Sequence, residues 1–453
     1  MGQLNKIDQN LLVNHQMQDF RLYIQKVEQK LCKNYLKQSF REMESYPQLY
    51  SKDRLEQFKI KYKDFIQLDV QKEIHCGIIN LDELHIAAKL LQQGELVAFP
   101  TETVYGLGAN AKNAQAILNI FKAKKRPLSD PLIVHVHDKN NLYTDKPDYV
   151  DQFAELFWPG PFTIVLKSTQ LETTEILSAG TGSIGIRIPN NEIALELLKL
   201  ANIPIAAPSA NLFTHISPTS AAHVFNDFYD QRVHIIDAGR CDNGIESTVI
   251  KPLGNELHIL RLGSLAKDTI LNKINQSESL KHFAIKYENK YMQIEENEED
   301  IEKELQDLQH LDRKSSMEAP GQFLKHYSAR INSFILTFKS INAFQEIDIN
   351  LKETVIIDFG SELRNRIANF DETKYKTLSL NYDAKEAMFN LYDLLRWAEI
   401  QQGAQQILLY DFDTEINHQI LHHENILSLQ DKIFRSASGQ KIYYQNNKFY
   451  LCQ

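Results

Sequence analysis

Four cations stand within five positions of the stretch FKAKKRPLSDPLIVHV, residues 121–136, at Lys122, Lys124, Lys125 and Arg126. The proline after Arg126 stops a helix, so the charges precede a loop and then an apolar strand. Lysine and arginine bind phosphate oxygens through charge-assisted hydrogen bonds. Cations also suit the C-terminus of a helix, which is the ordinary structural explanation of such a cluster. The stretch therefore indicates a polyphosphate site or a stabilised helix end.

A second candidate is an arginine in the apolar strand GIRIPNN, residues 185–191. Arg187 lies between two isoleucines, and a buried guanidinium is costly unless it is paired. Its planar fork matches a carboxylate, which could belong to a protein aspartate or to an amino-acid substrate. His135, at the end of the strand PLIVHV, is by itself more often a satisfied core histidine than a ligand.

Hydroxyl groups and glycines follow an apolar run in FPTETVYGLG, residues 99–108. In open α/β sheets, ligands bind outside the carboxyl ends of strands. Thr101 and Thr103 offer hydroxyls there, and we expect Gly106 and Gly108 to let backbone approach a ligand closely. The ordinary alternative is a polar turn with structural glycines.

Small and polar residues recur in PIAAPSANLFTHISPTSAAHV, residues 204–224. The small side chains around Ser209 and Asn211 leave room for a ligand. Ser217 precedes a predicted helix, whose N-terminus could bind phosphate oxygens. A simple helix cap is the ordinary alternative for this serine.

Hydroxyls, a carboxylate and Arg261 stand at strand boundaries in GIESTVI, residues 244–250, and ILRLGS, residues 259–264. The chain contains no Walker A, GxGxxG or HExxH motif. Covalent catalysis and a dedicated metal site therefore lack support. The groups present suit the positioning of anionic substrates and the neutralisation of charge that develops on phosphate.

The elements that would position these residues divide the 453-residue chain into four parts. Residues 1–75 are nearly free of glycine and proline, with apolar residues at helical spacing, which predicts a helical N-terminal extension. Residues 76–278 alternate strand-like and helical runs, which predicts an α/β domain. Residues 279–331 read as an acidic linker that ends in APGQFLKHYSAR, and residues 332–453 predict a second, smaller α/β domain.

Composition narrows the class of protein further. The net charge of −9 means that contact with nucleic acid would need a local basic patch. Four scattered cysteines without a C-x-x-C pair fit a reducing compartment. Neither a membrane span nor a signal-peptide core is present in the sequence. These features predict a cytoplasmic protein, while Asp8 and Asp19 weigh against a mitochondrial transit peptide but leave a mitochondrial fraction open.

Taken together, FPTETVYGLGANA, RP…PLIVHV, WPGPFTIVL, PIAAPSAN…SPT and GIESTV closely resemble, in this order, the YrdC-like domain of threonylcarbamoyl-AMP synthases. APGQFLKHYSA resembles the linker of the two-domain members, which folds over the active site. DKIFRSASG, residues 431–439, is weakly similar to the segment that closes their C-terminal domain. The resemblance implies a YrdC-like twisted open α/β sheet followed by a smaller Rossmann-like α/β domain.

The resemblance implies an enzyme that converts L-threonine, bicarbonate and ATP, with Mg²⁺ accompanying the ATP, into threonylcarbamoyl-AMP and pyrophosphate. An N-carboxythreonine would attack the α-phosphate, so the reaction is a nucleotidyl transfer that depends on alignment and charge stabilisation. A partner transferase would then use the product to modify the adenosine beside the anticodon of certain tRNAs.

The resemblance also assigns residues. It implies that threonine is bound by Thr101, His135, Arg187 and Ser247, with Arg187 on the carboxylate. It implies that the nucleotide and its phosphates are held by Lys124, Arg126, Ser209, Asn211, Ser217 and Arg261, with Tyr327 closing over the ligand. This chain departs from the family at Asp130, often an asparagine, and at Lys325, usually an arginine.

Two alternatives remain open at this point. YrdC-like proteins can bind RNA without synthase activity, and the basic cluster at 122–126 would serve weak tRNA binding, although the net acidity argues against this role. A carbamoyl-transfer domain of hydrogenase maturation shares the fold, but it would require attached acylphosphatase and zinc-finger modules, and the chain has no C-x-x-C.

Overall fold

The computed structural model describes residues 46–69, 72–140, 142–287, 317–321, 323–338, 343–412 and 425–452. The helices predicted within residues 1–45 and most of the acidic linker lie outside these ranges. The described residues form two α/β units, each built around one sheet. The α/β fold class is therefore confirmed.

The first unit contains eleven described strands. They are β1 (Gly77–Ile79), β2 (Val97–Phe99), β3 (Gly106–Asn110), β4 (Ile133–His135), β5 (Phe162–Lys167), β6 (Ser183–Arg187), β7 (Ile205–Ala206), β8 (His234–Ile236), β9 (Thr248–Leu253), β10 (Glu256–Arg261) and β11 (Ala284–Tyr287). Their order in the sheet is β1-β8-β2-β3-β7-β4-β6-β5-β9-β10-β11, with parallel and antiparallel neighbours.

Helices cover this sheet. They are α1 (Lys52–Lys61), α2 (Leu84–Gln93), α3 (Ala114–Lys124), α4 (Tyr149–Phe157), α5 (Thr174–Leu177), α6 (Glu192–Ala201), α7 (Ala221–Phe228) and α8 (Lys267–Asn275), with short 3₁₀ turns at Pro47–Tyr50 and Leu81–Glu83. Strand β11 lies beyond residue 278, where the sequence predicted the end of this domain, and pairs in parallel with β10.

Strand β3 differs from the sequence prediction, which placed a ligand-binding turn across this stretch. Gly106 and Gly108 lie inside β3, which pairs antiparallel with β2, so only residues 100–105 form the connecting loop. A Cβ at Gly108 would approach the ring of Phe99 to 2.9 Å and the carbonyl oxygen of Val97 to 3.0 Å. Gly108 is therefore needed for close packing of neighbouring strands rather than for approach to a ligand.

The end of the N-terminal extension packs on the first unit. The hydroxyl of Ser51 caps α1 by accepting from the backbone N–H of Arg54. The Arg54 side chain joins this helix to the first unit, because its guanidinium donates to the carbonyl of Ile78 at 2.9 Å and pairs with Glu83 at 2.6 Å. Phe58 is 3% exposed and joins the main core of the unit. Residues 46–69 are thus a covering layer for this sheet, in agreement with helical spacing in the sequence.

The second unit contains seven described strands. They are β12 (Asn332–Thr337), β13 (Ala343–Ile347), β14 (Thr354–Asp358), β15 (Tyr375–Thr377), β16 (Gln406–Tyr410), β17 (Lys441–Gln445) and β18 (Lys448–Cys452), in the order β13-β18-β17-β12-β16-β14-β15. Its helices are α9 (Ala384–Glu399) and α10 (Ile426–Ser436), with 3₁₀ turns at Leu351–Glu353 and Glu372–Lys374.

Strands β12, β14, β15, β16 and β17 run parallel to one another, as a Rossmann-like unit requires, and β17 and β13 each pair antiparallel with β18. Strand β15 ends at Thr377, and Leu380 beyond it is 68% exposed. Asp383 caps the N-terminus of helix α9, because its carboxylate accepts from the backbone N–H groups of Lys385 and Glu386.

Candidate functional site

A cleft opens between the first sheet and the linker. Its walls come from the β2–β3 loop, the ends of β4 and β6, the segment after β7, the start of β9, the end of β10 and the linker. The structure brings seven of the predicted site residues into its lining: Thr101, Arg126, His135, Arg187, Ser209, Ser247 and Arg261. The other four are buried outside the lining: Lys124, Asn211, Ser217 and Tyr327.

Arg187 and His135 are the last residues of the parallel strands β6 and β4, and they stand opposite each other in register. The Arg187 guanidinium donates from Nη1 to Thr103 Oγ1 at 3.0 Å and from Nε to the carbonyl of Gly160 at 3.3 Å. Its Nη2 lies 2.7 Å from Glu102 Oε2, as an ion pair without hydrogen-bond alignment. The Glu102 carboxylate therefore neutralises the charge of Arg187, while the Nη2 group makes no hydrogen bond.

The His135 imidazole is 3% exposed, and its Nδ1 has no hydrogen-bond partner. Burial, followed by the Arg187 cation, lowers the pKa of His135 to about 3. The ring is therefore neutral near neutral pH and offers one donor and one acceptor. A buried polar atom without a partner, aimed into a cleft, is the exception that calls for a ligand.

The hydroxyl of Thr101 shapes the β2–β3 loop. It donates to the carbonyl of Val104 at 2.7 Å and lies 2.8 Å from the hydroxyl of Thr103. On the opposite wall, Ser247 Oγ lies 2.9 Å from Thr163 Oγ1 and accepts from Arg261 Nη2 at 3.1 Å. Both predicted threonine-binding hydroxyls thus belong to networks that fix the walls of the cleft.

Lys124 is the last residue of helix α3, and its ammonium group donates to backbone carbonyls. It donates to the carbonyl of Ser209 at 2.6 Å and to the carbonyl of Asn211. Burial, followed by the nearby Arg126 cation, holds the pKa of Lys124 well below its usual value. The Asn211 amide in turn donates to the carbonyls of Leu212 at 2.7 Å and His215 at 2.8 Å. In this structure Lys124 and Asn211 build the loop that presents Ser209.

Arg126 follows the proline-terminated helix and lines the cleft. It donates to the carbonyls of Asp130 at 3.1 Å and Pro131 at 2.7 Å, and pairs with the Asp130 carboxylate at 2.9 Å. Burial raises the pKa of Asp130, although the Arg126 cation opposes the shift. Asp130 therefore pairs with the guanidinium that the sequence resemblance assigns to phosphate binding.

The linker forms the remaining wall. Arg261 donates from Nη1 to the carbonyl of Pro320 at 3.3 Å and from Nη2 to the carbonyl of Ser247 at 3.0 Å. Tyr327 is fully buried, and its hydroxyl has no partner. Helix α10 holds this segment, because Arg435 donates to the carbonyl of Gly321 at 2.7 Å. The covering segment predicted from APGQFLKHYSAR is thus in contact with both units.

Sequence reasoning gave no role to three residues that the structure places at the site. Glu246, noted only as a carboxylate at a strand boundary, lines the cleft and accepts from Ser217 Oγ at 2.5 Å. Glu102 pairs with Arg187, and His326 lines the cleft with its Nδ1 unpartnered. Burial, followed by the Arg435 cation, lowers the pKa of His326 well below its usual value. The sequence signal that could have identified Glu246, Glu102 and His326 was their position in the motifs GIEST, TET and KHY, respectively.

Among the described residues, no group of three or more histidine, cysteine, aspartate or glutamate side chains converges on a possible metal site. Mg²⁺ that arrives with a nucleotide is held mainly by phosphates and water, with one or two carboxylates at most, and Glu246 is a carboxylate in the lining of the cleft. No helix in the described ranges has the length and apolar character needed to cross a bilayer.

Two family profiles match the chain. The Sua5/YciO/YrdC profile, described as "Telomere recombination", matches residues 89–263, and the profile "Threonylcarbamoyl-AMP synthase, C-terminal domain" matches residues 291–438. A crystal structure of Pyrococcus abyssi Sua5 complexed with L-threonine superposes with a TM-score of 0.62 at 28% identity, covering 81% of this chain and 99% of that one.

Curated relatives agree with the profiles. A threonylcarbamoyl-AMP synthase of Pyrococcus abyssi is 43% identical over 208 residues, which are 44% of this chain and 61% of the relative. That of Bacillus subtilis is 42% identical over 206 residues, 45% of this chain and 59% of the relative. A putative synthase of Methanocaldococcus jannaschii is 32% identical over 182 residues, 40% of this chain and 85% of the relative. The matched part of the chain thus spans about three-fifths of the first two relatives.

Proposed function

Because the chain belongs to the Sua5/YciO/YrdC family, we propose that it is a threonylcarbamoyl-AMP synthase, an L-threonine-dependent nucleotidyltransferase. The observation that carries the proposal is the convergence of Arg126, Arg187 and Arg261 on one cleft with an unpartnered, neutral His135. Three guanidinium groups match a ligand set that contains one amino-acid carboxylate and a triphosphate.

In the proposed reaction, the amine of L-threonine combines with bicarbonate to give N-carboxythreonine and water. An oxygen of the new carboxylate attacks the α-phosphorus of ATP, and the bond from that phosphorus to the bridging oxygen breaks. Pyrophosphate leaves with the electron pair. The protein supplies alignment of the two anions and neutralisation of the charge that develops on phosphate, rather than a covalent nucleophile.

Threonine would occupy the end of the cleft at β4 and β6. The Nη2 group of Arg187, which makes no hydrogen bond in this structure, would donate to its carboxylate, and Glu102 would keep the guanidinium oriented. His135 Nδ1 would find its missing partner in the substrate. Thr101 and Ser247 would close the pocket from two sides as parts of the rigid networks that they form.

ATP would lie along Arg126, Ser209 and Arg261. Lys124 and Asn211 would act by holding the loop around Ser209, because their donors are already spent on carbonyls. Ser217 has a single hydroxyl hydrogen, and it is donated to Glu246 in this structure. Its part in holding the nucleotide would therefore pass through Glu246. Tyr327, with its free hydroxyl, would cover the bound ligands.

Mg²⁺ would enter with ATP and neutralise phosphate charge during the transfer. Two carboxylates lie close to the arginines that would bind the phosphates. Asp130 pairs with Arg126, and Glu246 lines the cleft. No step requires a resident metal. With three arginines and these two carboxylates, the cleft would suit a nucleotide anion such as ATP that arrives with bound Mg²⁺.

The product would pass to a partner transferase that modifies tRNA beside the anticodon. This chain would act in the cytoplasm, and a fraction of it could also be mitochondrial. Threonylcarbamoyl-AMP is a mixed anhydride of a carbamate and a phosphate, which water attacks readily. A covering linker that excludes water from the cleft would protect it until transfer.

An RNA-binding protein without synthase activity is the alternative. Its support is the basic cluster, in which Lys122 and Lys125 are exposed. The other two cations of the cluster are not on the outer surface: Lys124 is 1% exposed, and Arg126 is 3% exposed and lines the cleft. Half of the proposed RNA surface is thus lost, and the synthase remains the better supported function.

The test is pyrophosphate release by the purified full-length chain with ATP, Mg²⁺, bicarbonate and L-threonine. We expect release only when all are present, and much less with L-serine in place of threonine. Release that ignores threonine would contradict the proposal. Tight binding of tRNA without any pyrophosphate release would favour the alternative instead.

A further inference from the structure

Helix α9 of the second unit carries buried polar side chains that bond to the first unit. Tyr392 and Arg396, four positions apart, lie on one face of the helix. The Tyr392 hydroxyl donates to Glu246 Oε2 at 2.9 Å. Arg396 donates to the carbonyl of Ile216 and pairs with Asp227 at 2.8 Å. The second unit thus reaches the walls of the cleft directly.

The Glu246 carboxylate is held from two sides. Its Oε1 accepts from Ser217 Oγ at 2.5 Å, and its Oε2 accepts from Tyr392. Glu246 is 5% exposed and lines the cleft, while Ser217 and Tyr392 are fully buried. Each donor belongs to a different unit, so the orientation of this carboxylate depends on both.

Apolar packing also joins the second unit to the walls of the cleft. Val104, Ile216 and Ile245 of the first unit belong to the hydrophobic core of the second unit rather than to that of their own sheet. Each adjoins, along the chain, a residue of the cleft or its support. Packing at interior density resists displacement of such residues. Three separate segments of the cleft wall are therefore anchored in the second unit.

Tyr392 also touches the linker. Its ring stacks on that of Tyr327, with centroids 5.3 Å apart and an interplanar angle of 28°. Tyr327 follows His326, which lines the cleft. One side chain of the second unit therefore contacts both the fixed wall at Glu246 and the covering segment.

We propose that Tyr392 is a positioning residue of the synthase reaction, which orients Glu246 and, through it, Ser217 for binding of ATP. The inference rests on the proposed function and adds a role for the second unit. Without the Tyr392 hydroxyl, one buried carboxylate oxygen loses its donor, and the carboxylate is free to turn towards other donors. The Ser217 loop then loses its fixed partner, while the threonine pocket keeps all of its contacts.

Tyr392→Phe removes this hydroxyl and keeps the ring that stacks on Tyr327. We expect the KM for ATP to rise about tenfold, the cost of one hydrogen bond to a buried charged group. The KM for threonine and kcat should stay within about twofold. The matched control is Tyr382→Phe, which removes a hydroxyl bonded to the Glu362 carboxylate at 2.8 Å elsewhere in the second unit and should leave both KM values unchanged.

Binding of ATP, measured by calorimetry on the same proteins, separates this inference from the proposed function. About tenfold weaker binding by Tyr392→Phe supports the inference even if the wild type releases no pyrophosphate. Equal affinities of variant and wild type overturn the inference alone. A wild-type chain that binds no ATP overturns both. An equal loss in the kinetic constants for both substrates would mark Tyr392 as merely structural and would also overturn it.

A double variant keeps the test usable if Tyr392→Phe fails to fold. Glu246→Gln removes the buried charge, so the loss of the hydroxyl leaves a much smaller penalty. We expect that adding Tyr392→Phe to Glu246→Gln weakens ATP binding less than about threefold, because the two residues act in series. A full tenfold loss on the Glu246→Gln background would show that Tyr392 acts independently of Glu246, against the inference.

Discussion

The buried polar groups at the end of β14 and those around the cleft differ in how their hydrogen bonds are satisfied. At the end of β14, the Asp358 carboxylate accepts from the backbone N–H groups of Phe359, Leu363 and Arg364 and from the hydroxyl of Tyr375, all within 3.1 Å. Around the cleft, His135 Nδ1 of the first unit and His326 Nδ1 and the Tyr327 hydroxyl of the linker have no partner.

The difference separates structure from function. A carboxylate whose acceptor sites are filled by its own loop stabilises that loop and has little left for a ligand. Buried atoms without partners carry a free-energy cost that folding alone does not repay. We therefore assign the ligand site to the first unit and its linker, and a supporting role to the second unit.

The largest expected effect is on the ligand side of this comparison. Arg187→Ala should lower kcat/KM for threonine about a thousandfold, or about 4 kcal/mol, because it removes the carboxylate partner and leaves Glu102 buried without a cation. Steady-state pyrophosphate release measures this. Arg187→Lys, which keeps the charge but loses the fork, checks that a loss reflects recognition rather than unfolding.

Arg364→Ala is the control for that change, because this arginine is half exposed and pairs with Glu372 in the second unit. It should leave turnover within about twofold of wild type, as surface ion pairs contribute little. If folded Arg187→Lys showed wild-type kinetics for threonine, the proposed binding of the substrate carboxylate by the planar fork of Arg187 would be contradicted.

The next effect falls on the structural side. Asp358→Ala should lower the free energy of unfolding by about 3 kcal/mol, since several buried donors lose one acceptor. Denaturant titration measures this, and Asp358→Asn should cost less because one oxygen remains. Activity per folded molecule should change little. Stability close to wild type combined with lost turnover would reverse the roles assigned to the two units.

Much of this arrangement could be predicted from sequence. Strands β4 and β6 were visible because a proline adjoins each apolar run, Pro131 before β4 and Pro189 after β6. The matching motifs brought His135, Arg187 and Ser247 into one hypothesis. Strand β3 was missed because its glycines resemble a loop when packing neighbours are unknown. Side-chain partners were also out of reach, because Lys124 and Ser217 meet residues more than 25 positions away.

A third effect concerns pH. Because the pKa of folded His135 is about 3, the unfolded chain binds a proton between pH 7 and pH 5 that the folded chain does not. This residue alone should lower the free energy of unfolding by about 2 kcal/mol over that interval. His135→Gln should remove that part of the acid sensitivity in urea titrations at the two pH values. An unchanged pH dependence would mean that His135 is hydrated and charged in the cleft.

The smallest effect lies between the units and has the opposite sign. Asp227 and Glu399 flank His215 and raise its pKa, although burial and the Arg396 cation oppose the shift. The stabilisation is complete below the ordinary histidine pKa and is lost as the pH rises through the raised value. His215→Gln should cost about 1 kcal/mol at pH 6 and less at pH 9. A cost that grows with pH would contradict the ion pairs at this interface.

The central claim is that this cleft joins threonine, a bicarbonate carbon and AMP. The most direct test incubates the full-length chain with ATP, Mg²⁺, L-threonine and ¹³C-bicarbonate and examines the products by mass spectrometry. We predict threonylcarbamoyl-AMP that carries the single labelled carbon, formed by wild type and lost in Arg187→Ala. Folded wild-type protein that binds both ATP and threonine yet forms no labelled adduct would contradict the account.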